Sequence, residues 1–179
     1  MRLLSLLFDP RGAIDRRAYW SGLIQLTIVS AAVFASLTRV DTLVATAALP
    51  ILGEAFMLGV VAGWISGAQT LDVSLVAALL TIAARLYVTA CLMLKRSRDA
   101  GKGAGAPIAF GVVGLLVHVA MCVWTIDLFG EGMAVIVPLA VDLAITTVLS
   151  SVFTVRLGTM ASTPGRHGRL NPRHDLQFT

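Results

Sequence analysis

Apolar residues in this chain run in long blocks rather than alternating with polar ones. Five blocks stand out, at 19–37, 43–65, 73–94, 107–126 and 133–155. Each is about 20 residues or longer, the length that crosses a hydrocarbon core of ~30 Å. The pattern predicts helices, because lipid offers no partner to a free backbone N–H or C=O. The expected fold class is therefore all-α, a polytopic transmembrane helix bundle of five apolar segments making four or five crossings. The expected organisation is a basic interfacial N-terminus over 1–17, the bundle over 18–157 with a basic loop at 95–106, and a basic, disordered tail over 158–179. The short connections leave no room for a separate soluble domain.

Local signals punctuate the blocks. Leu3, Leu4, Leu6, Leu7 and Phe8 suit a short turn lying in the membrane interface, which Asp9-Pro10-Arg11-Gly12 then breaks. Asp15 is placed to cap the first long helix, where its oxygen can accept orphan N–H bonds at the positive end of the helix dipole. Tyr19 and Trp20 fall where an aromatic belt is expected. Val33-Phe34-Ala35 before Ser36 has the small residues of a signal-peptidase site, but the apolar run beyond Trp20 has full membrane length, so a retained helix is expected. In the second block Pro50 predicts a kink, since it lacks the N–H that would bond one turn back. Gly59 and Gly63, four apart, permit close helix packing.

Composition agrees with this picture and narrows it. The 179 residues are 57% hydrophobic and 13% charged, against roughly 25% charged in soluble domains. The net charge of +4 is concentrated near the N-terminus, in the 95–106 loop and in the tail. That is the positive-inside pattern of a membrane protein rather than a nucleic-acid surface. Cys91 and Cys122 both lie within apolar blocks with no Cys-x-x-Cys or Cys/His cluster beside them, so no metal site is expected. Gly101-x-Gly103-x-Gly105 lacks the strand and the Lys-Ser/Thr of a phosphate-binding loop. No catalytic triad, zinc motif or carboxylate pair is present, and His167 and His174 stand in the polar tail without fixed partners. No enzymatic activity and no cofactor are expected.

Four ionisable residues interrupt the apolar blocks: Glu54, Arg85, His118 and Asp142. Charges at membrane depth are costly, so they point to a function or to mutual pairing. Glu54 and Arg85 are equidistant from the turn at Gln69 and Thr70, and His118 and Asp142 are equidistant from Gly130. Antiparallel hairpins would put each pair at one depth. The plain reading is neutralised charge that fixes helix register. The sharper reading is a polar path for protons, ions or a small solute, with an imidazole able to change charge near neutral pH.

The charge pattern and the block count conflict over topology. The Lys95 loop and the tail belong on one side, the cytoplasmic one, if the last two blocks form a hairpin. Arg2, Arg11, Arg16 and Arg17 place the N-terminus there too. Three crossings between Trp20 and Lys95 would put it opposite. Either block 43–65 fails to cross, which Pro50 and Glu54 would suit, or the N-terminus lies outside. The charge bias favours four crossings with both ends inside.

Two stretches resemble a known family. Gly12, Ile14, Arg16, Arg17, Tyr19 and Trp20 match the Gly-x-Ile-x-Arg-Arg/Lys-x-aromatic-Trp opening of the domain-of-unknown-function 805 family, which are small bacterial inner-membrane proteins. Lys95, Arg96, Asp99, Gly101 and Lys102 match that family's basic loop, with Arg98 in place of its His and Ala104-Gly105-Ala106 in place of its Gly-Trp-Trp. Thr163-Pro164-Gly165 and Asn171-Pro172 faintly resemble the family's ending. The block around Glu54 departs from the family pattern. The resemblance implies a multi-pass protein of the bacterial inner (plasma) membrane with both motifs on the cytoplasmic side, and it supplies no catalytic residue. The function expected is a structural or interaction component. Its Arg16, Arg17, Lys95, Arg96, Arg98 and Lys102 would form a face for anionic lipid headgroups or a membrane-protein partner, with each cation contributing about 1 kcal/mol near the surface. The alternative is a small transporter or proton-coupled channel using Glu54, Arg85, His118 and Asp142.

Overall fold

A computed structural model describes residues 8–128 and 131–162. The expected interfacial turn at Leu3 to Leu7, the Gly130 centre of the last hairpin, and the tail from 163 onward with His167 and His174 lie outside the described residues. All regular elements among the described residues are helical. They are α1 (Arg16–Leu37), α2 (Thr42–Ala47), α3 (Leu52–Ile65), α4 (Val73–Asp99), α5 (Gly105–Asp127), a 3-10 turn (Gly132–Val135) and α6 (Ile136–Thr159). The fold is an all-α helical bundle.

Three of the helices start on an aspartate, each satisfying an N–H that the helix itself cannot. Asp15 accepts from the Ala18 N–H at 2.7 Å, Asp41 from Val44 at 3.1 Å and Asp72 from Leu75 at 2.7 Å. The hydroxyl of Ser74 and the Val44 N–H together hold the Asp41 carboxyl below the usual carboxylate range, which ties the start of α2 to the start of α4. At its other end α4 stops in a Schellman motif. Gly101 adopts φ +72°, its N–H bonds to the Arg98 carbonyl at 3.1 Å, and the Lys102 N–H bonds to the Ser97 carbonyl at 3.0 Å.

Four helical segments are long and apolar enough to cross a membrane: α1, α4, α5, and α6 together with its leading 3-10 turn. The chain reads as an integral membrane protein on that basis. The second apolar block is not a fifth span. It divides into the 6 residues of α2 and the 14 of α3, and 14 residues at ~1.5 Å each reach about 21 Å, short of a ~30 Å core. The kink expected at Pro50 is a full break. Ile51 sits at φ +64°, ψ −55°, the rare and strained hand of the γ-turn, closed by the Leu52 N–H to the Pro50 carbonyl at 2.6 Å. A β-branched residue there is a steric outlier costing roughly 1–3 kcal/mol. The break lets α3 enter the bundle and return.

With four long helices, the starts of α1 and α5 and the ends of α4 and α6 meet at one end of the bundle. Ile14 and Tyr19 pack there against Val88, Leu92, Met93 and Leu157. This removes the topology conflict, since the N-terminal arginines and the Lys95 region share an end. The opposite half is held by Ala47, Met57, Leu75 and Ala78, with Leu43, Val44, Val60 and Ile82 around them. Among the described residues beyond the helix ends there, Arg39 stands with Asp41, Asp72, Asp127 and Glu131, so one end is basic and the other acidic.

Two expectations are corrected. Tyr19 is not a belt residue: it is fully buried in the core, since its position on α1 turns inward beside Gly22. The basic stretch at 95–106 is not all loop. Residues 95–99 are the last turn of α4, and α5 already begins at Gly105. Pro107 falls in its first turn, where a missing N–H costs nothing. Elsewhere α5 faces outward, with Ile108, Val112, Leu115, Leu116 and Val119 exposed, as lipid rather than water would require.

Close packing at the α2–α3 break gives a test. A Cβ on Gly53 would lie 2.6 Å from the Thr46 carbonyl oxygen, whereas one on Gly111 meets nothing within 4 Å. Thermal unfolding in detergent should show Gly53→Ala destabilised by about 1–3 kcal/mol, Gly111→Ala within about 0.5 kcal/mol of wild type, and Ile51→Gly unchanged or more stable as the strain is relieved.

Candidate functional site

Two constellations carry the ionisable chemistry. The first occupies the basic end. Arg96 is the largest fully buried side chain, at 0% exposure, and its guanidinium holds the C-terminus of α6. Nε donates to the Leu157 carbonyl at 3.2 Å, one terminal nitrogen donates to the Met160 carbonyl, and the other binds Asp99 and the Ser162 hydroxyl at 3.2 Å. Ser162 in turn donates to Asp99 at 2.5 Å. The last carbonyls of a helix have no partner of their own and carry the negative end of its dipole. A planar, always-charged fork suits them well. Arg16 repeats the device from α1, donating to the Thr159 carbonyl at 3.0 Å and to that of Met160 at 3.4 Å.

Other bonds tie the flanking chain to this end. Arg98 donates to the Pro10 carbonyl at 2.5 Å and the Tyr87 hydroxyl to that of Phe8 at 3.0 Å. Ser97 donates to the Gly103 carbonyl at 2.6 Å, closing the turn after α4. Trp20 lies across Gly158 so tightly that a Cβ there would sit 2.4 Å from the indole. It meets Tyr19 edge-on, with ring centroids 5.6 Å apart.

The expected basic face is thereby divided in two. Lys95, Arg96 and Asp99 are buried, and Arg98 is half-buried against residue 10. Arg96, Arg98 and Asp99 act as internal fasteners. Arg16, Arg17 and Lys102 are exposed, as are Gly12, Gly101 and, beyond the expected set, Arg11 and Arg156. Their counterpart roles in α6 were hidden in the sequence. Carbonyl acceptors at Leu157, Thr159 and Met160 carry no residue signature, and Ser162 had none beyond its nearness to the tail.

The second constellation lies mid-bundle. Glu54 on α3 meets Arg85 on α4 at 3.0 Å, with side-chain exposures of 12% and 8%. Nδ1 of His118 on α5 lies 2.9 and 3.1 Å from the two carboxylate oxygens of Asp142 on α6; Asp142 is fully buried and His118 is 27% exposed. One pair thus links α3 to α4, and the other links α5 to α6. Among the described residues, the His118–Asp142 contact is the one side-chain hydrogen bond from α5 to another helix. Gly59 packs against Leu139 of α6 beside this cluster. The described residues contain no group of His, Cys, Asp and Glu able to hold a metal ion.

Compared with known proteins, the chain matches no family model, no curated protein and no solved structure.

Breaking either constellation from one side should be more damaging than removing both partners. Arg85→Leu leaves Glu54 alone in the bundle and should cost about 3–5 kcal/mol, much of it regained in the Glu54→Leu, Arg85→Leu double variant. Membrane yield and the fraction that stays monodisperse in detergent read this out, and a double variant no better than the single would refute the pairing energy. Arg96→Lys keeps the charge but cannot reach Leu157, Met160 and Asp99 together, so a loss of ~2–4 kcal/mol is expected.

Proposed function

We propose that the protein is a multi-pass interaction component of the bacterial inner membrane, with its basic end cytoplasmic and serving as a docking face for anionic lipid headgroups and a membrane-protein partner. The observation that carries this reading is the division of labour among the cations. Arg96 and Arg98 spend their donors on backbone carbonyls and so fasten residues 8–10, α4 and α6 together. The surface they make rigid carries Arg11, Arg16, Arg17, Lys102 and Arg156 exposed. A rigid cationic rim at a membrane surface gains from each anionic contact without first paying to order its side chains' supports. The sign asymmetry between the ends supports the cytoplasmic assignment by the positive-inside rule. The two motifs that resemble the domain-of-unknown-function 805 family fall on this same end.

A second reading is carried by the two mid-bundle pairs, Glu54 with Arg85 and His118 with Asp142. Contiguous ionisable groups at membrane depth are the material of proton and ion pathways, so a small transporter or proton-coupled channel is the alternative. The interaction reading is preferred because each of the four groups has an opposite-charge or hydrogen-bonding partner within the bundle.

Reporter fusions after Arg17, Gln69 and Gly101 test the sidedness. Cytoplasmic signals are expected at Arg17 and Gly101 and the opposite signal at Gln69. Photo-crosslinkers at Arg17 and Lys102 should give discrete protein adducts in membranes while one at Asp127 gives none; adducts from Asp127 alone would reverse the assignment of the docking end. Flux in proteoliposomes that disappears with His118→Ala would select the transport reading instead.

A further inference from the structure

The outward face of α1 at the basic end holds a groove of about 600 Å³ lined by Arg16, Arg17, Trp20, Ser21, Ile24 and Gln25. These positions form two adjacent rows four residues apart, 16/20/24 and 17/21/25, on the side of the helix away from buried Tyr19 and Gly22. The groove therefore faces the bilayer.

Its walls are fixed before anything binds. Arg16 is held by the carbonyls of Thr159 and Met160, and Trp20 is seated on Gly158. The Gln25 amide donates to the Ser21 hydroxyl at 3.4 Å, which leaves the buried Gln25 Oε1 with no partner inside the protein. The amide nitrogen carries two N–H groups, so with one on Ser21 the other can donate to an acceptor in the groove.

The vertical order of these groups is that of a phospholipid. At ~1.5 Å per residue, Ser21 lies about 6 Å and Gln25 about 12 Å below Arg17. Cations come first, then an indole and a hydroxyl at interfacial depth, then the exposed Ile24 beside the Gln25 amide, with exposed Ile28 continuing the same face. The first turn of α1 has two arginines and no acidic residue. The Asp15 carboxylate already caps that helix end, so an anion in the groove gains from the two guanidinium groups themselves.

We propose that this groove binds one anionic glycerophospholipid. Arg16 and Arg17 hold the phosphate, Trp20 and Ser21 flank the glycerol, Gln25 donates to an ester carbonyl, and one acyl chain follows Ile24 and Ile28. The proposal rests on the reading that the basic end lies at the membrane surface, and it goes further in assigning a single stoichiometric site.

Native mass spectrometry of the full chain, released from nanodiscs of phosphatidylglycerol mixed with phosphatidylcholine, tests it. One retained phosphatidylglycerol per chain is expected, preferred over phosphatidylcholine. Arg17→Glu should lower retention about tenfold or more, and Gln25→Leu should lower it without changing net charge. Arg39→Glu, the same change of charge at the opposite end of the bundle, should retain the lipid. Circular dichroism and gel filtration confirm that each variant is folded, and Arg17→Gln serves if Arg17→Glu is not. Equal losses from Arg17→Glu and Arg39→Glu would reduce the site to diffuse charge and overturn the proposal, as would equal retention of both lipids or a peptide adduct in place of lipid. Loss of the lipid site with the Arg17 and Lys102 protein adducts intact would leave the docking reading standing. Retained lipid without those adducts would do the reverse.

Discussion

The structure depends on one guanidinium. Arg96 takes over carbonyls that α6 cannot satisfy for itself, and it does so from the last turn of α4, with Asp99 and Ser162 completing its shell. Helix ends in a membrane protein normally reach water to finish their hydrogen bonds. Here the end of α6 is finished inside the protein, so three segments distant in sequence share a fixed geometry. Tyr19, Trp20, Leu157 and Gly158 can pack closely because that geometry does not drift.

Below this end, apolar packing alone would specify position weakly, since neighbouring helices and lipid tails are equally apolar. The mid-bundle charges supply the missing specificity. Glu54 cannot leave Arg85, and Asp142 cannot leave His118, without stranding a charge in low dielectric. Two polar layers, one at the basic end and one midway, therefore set both the height and the rotation of α3 to α6. The outward surfaces are left free to be uniformly oily, and α5 uses that freedom along nearly its whole length.

The long helices were legible because block length answers directly to bilayer thickness, and the aspartate starts because capping is local chemistry. The equal depth of Glu54 with Arg85 and of His118 with Asp142 could be read from symmetry about the turns. The non-spanning character of the second block was only half legible. Pro50 announced an interruption, but hydropathy alone cannot distinguish a helix that crosses from one that enters a bundle and returns. The burial of Lys95, Arg96 and Asp99 was not legible at all. A run of cations beside a membrane looks like surface, and the partners that draw Arg96 inward include backbone carbonyls, which every residue possesses, while Asp99 follows as the acceptor for Arg96 and Ser162.

The distances in sequence between bonded partners also impose an order in time. Glu54 enters the bilayer 31 residues before Arg85 exists, and His118 precedes Asp142 by 24. Arg96 waits longest, because Leu157 and Met160 lie 61 and 64 residues further on. At ~5–20 residues per second of synthesis, that is a delay of several seconds with the central fastener unengaged. The growing chain therefore holds its helices loosely until the final turn of α6 emerges, and the residues from Leu157 to Ser162 are the ones that close the bundle.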